Sequence, residues 1–291
     1  MLVELAIGDA YGAGFEYVDK KLVLEHNDLS AYFDYPRHDL GNGRYTDDTQ
    51  MTLAVTEVLL SGQDWTKENL AAAFVDCFKR DPRVGYAGRF YQFLVEVKDA
   101  DDFLARIQPG SDKSGAAMRA TTIGAVKEIA QVKEMARLQA NITHDTEGGI
   151  NSAIAAALAT HYFIYRLGDK SGLPAFLDKH VPGDWTREHQ GPVGQTGMES
   201  VRAAVTAIMR NQSMSDLLKD CIAFTGDVDT VATIALGAAS HSLEVAQDLP
   251  VHLIVGLEDG PYGRSYLAAM DRRLAELISA NRQAESADLL S

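Results

Sequence analysis

The chain has 291 residues, of which 46% are hydrophobic and 23% charged, a composition typical of a globular protein with a sizeable core. Its formal net charge of −14 argues against non-specific binding to nucleic acid or to an anionic membrane. The two cysteines, Cys77 and Cys221, lie far apart in apolar runs, so we expect neither a disulfide framework nor a cysteine metal site. No apolar stretch approaches the about 18 residues of a membrane span, and the start carries no basic leader, so we predict a cytoplasmic protein.

Helical periodicity dominates the chain. It begins at residues 47–60, and Thr66 can cap a second helix that reaches Cys77. Further helices are predicted at 86–97, 116–139, 148–167, 197–210, 214–223, 229–244 and 264–281. The run 251–255 fits either a short buried strand or a helix, and 180–196 has the Pro and Gly content of a long loop. We therefore predict one all-α domain over residues 1–282, with a flexible tail at 283–291.

The first acidic cluster lies where a helix is predicted to begin. Thr46 precedes that helix, and Asp47 and Asp48 occupy its first turn. A helix N-terminus favours a threonine cap followed by carboxylates, so capping alone accounts for this cluster.

The second acidic cluster has the same form. Asp227 and Asp229 follow Gly226 just before another helix, in a turn that can aim both carboxylates at one point. A capping turn is again a sufficient explanation for the cluster alone. If the two clusters meet in space, their oxygens form a set suited to Mg²⁺ or Mn²⁺, whereas zinc would recruit His or Cys.

Several short motifs resemble, in order, those of the ADP-ribosylglycohydrolases. They are Gly8–Glu16, Thr46–Ala54, Ser114–Arg119, Thr143-His144 and Gly226–Thr230. The resemblance implies an all-α orthogonal helical bundle that holds two divalent cations, Mg²⁺ or Mn²⁺. It also implies an enzyme that hydrolyses the glycosidic bond between ADP-ribose and a modified side chain, acting on an ADP-ribosylated protein or a small ADP-ribose conjugate.

The resemblance also implies roles for individual residues. Glu16 matches an acidic residue beside the metals and is our candidate acid/base, with Asp48 as the second catalytic residue. The residues that match metal ligands are Thr46, Asp47, Asp48, Asp227, Asp229 and Thr230. The predicted substrate-binding residues are Ser114, Gly115, Met118, His144, Gly85 and Tyr86.

The substrate-binding motifs also make sense by themselves. Small residues from Ser114 onward expose backbone N–H groups at a predicted helix start, where a phosphate binds readily. His144 either contacts a pyrophosphate or caps a helix. Tyr86 is a candidate to pack against a ribose or an adenine, whereas the helical spacing of Tyr91 favours a place in the core.

Two motifs depart from the usual family pattern. Thr225 and Val228 stand where the second metal motif usually has a glycine and a threonine, which leaves the presumed ligands intact but puts the turn geometry in question. The phosphate loop usually opens Gly-Asn-Gly, and this chain has Lys113-Ser114-Gly115. Lys113 can add a charge-assisted contact to a phosphate or point to water.

The linkage that is cleaved is inferred from charge. An arginine-linked ADP-ribose leaves as a guanidine that is cationic in water, which carboxylates around the site stabilise. The acids that we assign to the mouth of the site are Asp34, Asp39 and Asp81, with Arg37, Arg44 and Lys113 as partial counter-charges. We therefore predict ADP-ribosyl-arginine, with an ADP-ribosyl-serine or other O-linked substrate as the alternative.

Two other functional classes compete with the hydrolase. A catalytically silent ADP-ribose-binding module would need the pocket but not the metals or Glu16. A magnesium-dependent isoprenoid synthase would require D-D-x-x-D, and Met51 stands where its last Asp belongs.

Overall fold

The computed structural model of the protein describes residues 1–33 and 41–288 and forms an all-helical bundle, as predicted. Within these ranges isolated bridges occur but no β-strand. The α-helices are α1 Leu2–Ala13, α2 Lys20–His26, α3 Asp47–Ser61, α4 Lys67–Arg80, α5 Gly88–Glu96, α6 Ala100–Arg106, α7 Gly115–Met118, α8 Ile129–Asn141, α9 Glu147–Ile164, α10 Leu173–His180, α11 Gly197–Arg210, α12 Met214–Ala223, α13 Val228–Ala239, α14 Val251–Gly256 and α15 Arg264–Asp288. Thr121–Ala125 and Lys170–Gly172 are 3₁₀ turns. None of the helices in these ranges is long and apolar enough to cross a membrane.

Helices α1 and α13 cross closely at the centre of the bundle. A Cβ on Gly8 would lie 2.8 Å from the carbonyl carbon of Ala232, and one on Gly12 would lie 2.5 Å from the Cα of Asp229. Both helices are buried over most of their length. The glycines of α1 thus bring its C-terminal end against the first turn of α13, where Asp229 lies.

Threonine side chains cap three of the helices, and the sequence predicted one of these caps, Thr66. Thr66, Thr146 and Thr196 each accept a hydrogen bond from the backbone N–H three residues ahead, at the starts of α4, α9 and α11. Each bond satisfies a helical N–H that would otherwise lack a partner. Thr46, the other threonine expected to cap a helix, makes no capping hydrogen bond and donates its hydroxyl to Asp9 instead.

The prediction of one helix over 116–139 is wrong. The segment divides into α7, the 3₁₀ turn Thr121–Ala125 and α8. The interruption lies where β-branched residues precede Gly124, and a Cβ on Gly124 would lie 2.6 Å from the carbonyl oxygen of Ala157 in α9. The helix is therefore interrupted where Gly124 packs tightly against α9.

Other boundaries also differ from the sequence-based prediction. The helix predicted at 229–244 ends at Ala239, and the run 251–255 is helical, as part of α14. The loop prediction agrees with the structure, because α10 ends at His180 and α11 begins at Gly197. Helix α15 continues to Asp288, through most of the predicted tail, and residues 289–291 lie outside the described ranges.

Candidate active site

A cavity of about 930 Å³ brings the predicted site residues together. Carboxylates line one part of it: Glu16, Asp47, Asp48, Asp227 and Asp229. We call these residues the acidic wall. Basic residues and the phosphate loop line another part, which we call the basic wall: Arg89, Arg106, Lys113, Ser114, Gly115, Arg119 and His144. Met118, Gly85, Tyr86 and Thr230 also line the cavity.

Asp9 fixes the start of α3 beneath the acidic wall. Its fully buried carboxylate accepts hydrogen bonds from the backbone N–H groups of Thr46 and Thr49 and from both of their hydroxyls, at 2.6–3.1 Å. Asp9 is not among the predicted site residues, although it stands in the first family motif. Unlike the other predicted ligands, Thr46 does not line the cavity, because its hydroxyl is turned to Asp9, and its role as a metal ligand stays a prediction.

A left-handed turn holds the second aspartate cluster. Thr225 has φ +65° and Gly226 has φ +90°, and a Cβ on Gly226 would lie 2.0 Å from the carbonyl oxygen of Val193. Backbone hydrogen bonds join Val193 to Thr225 and Asp227 on either side of the glycine, at 2.9 and 3.1 Å. Thr225 thus adopts a conformation that glycine usually supplies, at a steric cost.

Glu16 follows the end of α1 and lies beside the turn that holds Asp227 and Asp229. The N–H of Tyr17 donates to the carbonyl oxygen of Gly226 at 2.9 Å, which ties this segment to the aspartate turn. One carboxylate oxygen each from Glu16, Asp227 and Asp229 lies within 4.8 Å of the others. Residues far apart in sequence therefore converge, as the resemblance implied.

The acidic wall fits divalent cations. The Oδ2 atoms of Asp48 and Asp227 are buried and have no hydrogen-bond partner in the described part of the chain. Burial and the neighbouring Glu16 raise the pKa of Asp227 to about 6. Burial first, and then the other carboxylates, raise the pKa values of Asp47, Asp48 and Asp229 well above the ordinary range. Crowded, unpartnered carboxylate oxygens are the donor set that Mg²⁺ or Mn²⁺ requires.

The loop 189–196 connects the two walls. While Val193 pairs with the aspartate turn, the carbonyl oxygen of Gln195 accepts from the N–H of Ser114 at 3.0 Å, and Gly197 donates to the carbonyl oxygen of Asp112 at 3.1 Å. The sequence identified this segment only as a loop, since backbone pairing between distant segments leaves no local signal.

The helix that the phosphate loop enters is shorter than predicted, because α7 has only four residues. Neither Gly115 nor Ala116 donates its N–H to a backbone carbonyl in the described residues, and Ala116 is buried while Gly115 is half-buried. A Cβ on Gly115 would lie 3.2 Å from Nε2 of His144 and 3.0 Å from its Cε1. The imidazole therefore lies directly against this loop.

Gly85 and Tyr86 have packing roles beside the cavity. Gly85 has φ +106°, and a Cβ there would lie 2.0 Å from Oδ1 of Asp47, so only glycine leaves room for that carboxylate. Tyr86 donates its hydroxyl to Oε1 of Gln50 at 2.7 Å, and Gln50 in turn donates to the carbonyl oxygens of Cys77 and Asp81. Tyr91 packs edge-on against Phe78 and at a tilt against Tyr86, in agreement with its predicted place in the core.

Two of the charged residues that we assigned to the mouth of the site, Asp81 and Arg44, do not line the cavity. Asp81 accepts hydrogen bonds on its carboxylate from Nε and Nη2 of Arg83, at 2.9 and 2.6 Å. Arg44 lies 3.7 Å from Glu258 rather than in the cavity. Lys113 does line the cavity, whereas Asp34, Arg37 and Asp39 lie outside the described residues.

The whole sequence matches one protein family. The family model described as ADP-ribosylglycohydrolase matches residues 1–284. The chain belongs to the ADP-ribosylglycohydrolase family. Its fold agrees with that assignment, because it is similar to a solved structure titled "ADP-ribosylglycohydrolase-related protein complex", with a TM-score of 0.73 and 21% identity over 95% of this chain and 96% of that one.

Relatives within this family are moderately similar in sequence. The Homo sapiens protein named ADP-ribosylhydrolase ARH3 is 37% identical over 125 residues, which are 40% of this chain and 34% of the relative. Its Danio rerio namesake is 35% identical over 194 residues, 62% of this chain and 50% of the relative. The match thus spans about a third to a half of the length of these curated relatives. An uncharacterized protein of Archaeoglobus fulgidus is 24% identical over 299 residues, 95% of each chain.

Proposed function

We propose that this ADP-ribosylglycohydrolase family member is a metal-dependent hydrolase that cleaves the glycosidic bond between ADP-ribose and a modified side chain. The observation that carries the proposal is the convergence of Glu16, Asp227 and Asp229 within 4.8 Å, in a cavity whose other wall holds the phosphate loop. ADP-ribose, whose anionic diphosphate adjoins a terminal ribose with hydroxyls that can ligate cations, matches this division of charge.

The acidic wall would hold two divalent cations through Asp47, Asp48, Asp227, Asp229 and Thr230, with Thr46 as the remaining predicted ligand. Bound Mg²⁺ or Mn²⁺ supplies Lewis acidity, which lowers the pKa of a ligated water and neutralises the carboxylates. The unpartnered Oδ2 atoms of Asp48 and Asp227 support this assignment, because buried anionic oxygens without hydrogen bonds are costly.

Glu16 is the proposed acid/base. It is half-buried, on the edge of the acidic wall, where it can accept a proton from an attacking water and return one to the leaving group. The backbone bond from Tyr17 to Gly226 keeps its carboxylate beside Asp227 and Asp229. Ser114, Gly115, Met118 and His144 would hold the diphosphate and so place the ribose against Glu16.

An arginine linkage remains our proposal for the substrate, although Asp81 no longer supports it. Its support is now Glu16, the carboxylate of the acidic wall outside the proposed ligand set, whose charge would stabilise a departing guanidinium. An ADP-ribosyl-serine substrate requires protonation of the leaving oxygen, which Glu16 could provide. Comparing kcat/KM on one peptide modified at arginine or at serine decides between them. A tenfold preference for serine, about 1.4 kcal/mol in transition-state binding, would refute the arginine linkage and leave the hydrolase intact.

Replacing Glu16 separates an enzyme from a silent ADP-ribose-binding module. Glu16→Gln removes the titratable group but keeps its shape, so we expect kcat to fall about 10²–10⁴-fold while the Kd for ADP-ribose stays close to wild type. Glu25→Gln, on the exposed face of α2, is the matched control and should change neither value. If the metal-loaded wild-type protein binds ADP-ribose but hydrolyses neither peptide, the protein is a binding module and the proposal fails.

A further inference from the structure

Arg119 is a buried cation whose contacts are all neutral. It is 1% exposed, and it donates to Oε1 of Gln139 at 2.7 Å, to the carbonyl oxygen of Gln139 at 3.1 Å and to the hydroxyl of Thr143 at 2.8 Å. Its guanidinium carbon lies 4.4 Å from the centre of the Phe74 ring. No carboxylate of the described residues forms an ion pair with it. Because buried arginines are normally paired with an anion, this arrangement is complete only when an anion enters the cavity that Arg119 lines.

Thr143 connects this cation to His144. Its Oγ1 accepts the hydrogen bond from Arg119 and lies 2.6 Å from Nδ1 of His144. A guanidinium can only donate, so the proton of the threonine hydroxyl is free to point elsewhere. Among the described residues, Nδ1 of His144 is the acceptor within its reach.

We infer that Arg119 and Thr143 are positioning residues that hold His144 as the tautomer protonated on Nε2. Since Nδ1 accepts from the threonine hydroxyl, the ring proton of the neutral imidazole resides on Nε2, at the edge that faces Gly115 and the cavity. His144 then presents a fixed N–H donor to an anionic oxygen. The positive charge of Arg119 lies on the other side of Thr143.

Burial and charge keep the imidazole neutral. Desolvation, with smaller contributions from Arg119 and Lys113, lowers the pKa of His144 to about 3. Burial lowers the pKa of Arg119 to about 9, so the guanidinium is still charged at neutral pH. The donor at Nε2 is therefore present throughout the neutral pH range without protonation of the ring.

The role in ligand binding rests on the proposed function, because the anion would be the diphosphate of ADP-ribose. The tautomer itself does not, and it can be measured in the ligand-free protein. Two other histidines provide internal references. Nδ1 of His161 lies 3.0 and 3.2 Å from the carbonyl oxygens of Val126 and Gly124, which requires protonation on Nδ1. Nε2 of His189 lies 3.1 Å from the carbonyl oxygen of Gly191, which requires protonation on Nε2.

Long-range ¹H–¹⁵N NMR spectra of protein labelled at histidine test the inference, with His144 assigned by its absence in His144→Gln. We expect the His144 pattern to match His189 and not His161. Thr143→Val keeps the shape but removes the hydroxyl, so it should release the tautomer and weaken ADP-ribose binding about tenfold, the usual contribution of one hydrogen bond. Thr143→Ser should restore both, which loss of packing alone would not explain.

A wild-type His144 pattern like that of His161 would overturn the inference, as would a Thr143→Val protein with unchanged tautomer and affinity. The two proposals fail separately. If His144 has the predicted tautomer and Thr143→Val alters it, but no variant binds ADP-ribose, the positioning inference is supported and the proposed function is contradicted.

Discussion

The two walls of the cavity hold charge of opposite sign. The acidic wall concentrates carboxylates with raised pKa values and leaves two of their oxygens unpartnered. The basic wall contains the buried guanidinium of Arg119, which has neutral partners, and the exposed Lys113 nearby. Arg106 of the basic wall pairs with Glu96 and Asp102, but Arg119 and the aspartates of the acidic wall have no partner of opposite charge among the described residues. Each wall is therefore suited to a ligand that supplies the missing charge. Cations suit the first wall and a diphosphate suits the second.

This difference shows that the net charge of the chain predicts which partners it attracts or repels at long range, but not the charge of an individual binding site. A net charge of −14 is a sound argument against a non-specific nucleic-acid binder, yet the same chain lines part of its cavity with Arg89, Arg106, Lys113 and Arg119. The positions of the charged side chains determine which ligand the cavity can bind.

The largest expected effect comes from removing one charge of the acidic wall. Asp48→Asn should lower kcat roughly a thousandfold, because an amide is a poor ligand for a cation that positions water and ribose. Asp101→Asn is the matched control, since Asp101 also occupies the first turn of a helix but is exposed. Steady-state rates of ADP-ribose release from a modified peptide measure both. Equal, small losses in the two variants would mean that Asp48 only caps α3.

The next effect is the dependence of stability on pH and metal. The folded-state pKa of Asp227, about 6, lies above its unfolded value of 3.8, so its contribution to stability is full below about pH 3.8 and is lost as the pH rises through about 6. Mn²⁺ should therefore raise the melting temperature more at about pH 7.5 than at about pH 5. At 100 times its Kd, the ion should contribute about 2.7 kcal/mol.

Melting curves with and without Mn²⁺ at both pH values check this dependence, with Asp229→Asn as the comparison. That variant should lose most of the metal increment at the higher pH. A metal increment that is the same at both pH values would show that the carboxylates are already ionised in the metal-free protein.

A smaller effect is expected at the basic wall. Lys113→Ala should weaken ADP-ribose binding by about 1 kcal/mol, roughly fivefold, at low salt, and less at high salt, because Lys113 is exposed. Once ADP-ribosylated peptide is saturating, kcat should stay near wild type. Lys179→Ala, exposed on α10, is the control. Titration calorimetry at two salt concentrations measures the effect, and a large fall in kcat would place Lys113 in the chemistry instead.

The smallest expected effect is at the turn that carries Asp227 and Asp229. Thr225→Gly relieves the left-handed strain, worth about 1–2 kcal/mol, but adds freedom to the unfolded chain, so we expect a net gain of about 0.5–1 kcal/mol. Urea unfolding measures this gain. Metal affinity should not change. If the variant is destabilised, the Thr225 side chain makes a contact that stabilises the fold by more than its left-handed backbone costs.

The sequence predicted the local parts of the site well. The all-helical class, the paired aspartates at two helix starts and the Ser114-Gly115 loop are encoded in short segments, and the structure brings their residues to one cavity. Periodicity and capping chemistry act within a few residues, so a single sequence displays them.

The parts that were missed depend on distant partners or on burial without periodicity. Helix α1 is buried on all sides, so it shows no apolar stripe, and Asp9 within it becomes meaningful only when α3 lies beside it. Arg119 was noted as the end of a motif, but its chain of contacts to Thr143 and His144 requires the packing of α7 against α8. Continuous helical periodicity over 116–139 concealed the break at Gly124.

The loop 189–196 has a thermodynamic consequence. Its backbone pairs with the aspartate turn through Val193 and with the phosphate loop through Gln195, so the two segments are joined through two residues of chain. Any coupling free energy between ligand binding at the two walls that this loop carries is reciprocal. If a divalent cation tightens ADP-ribose binding by some factor, ADP-ribose must tighten binding of that cation by the same factor.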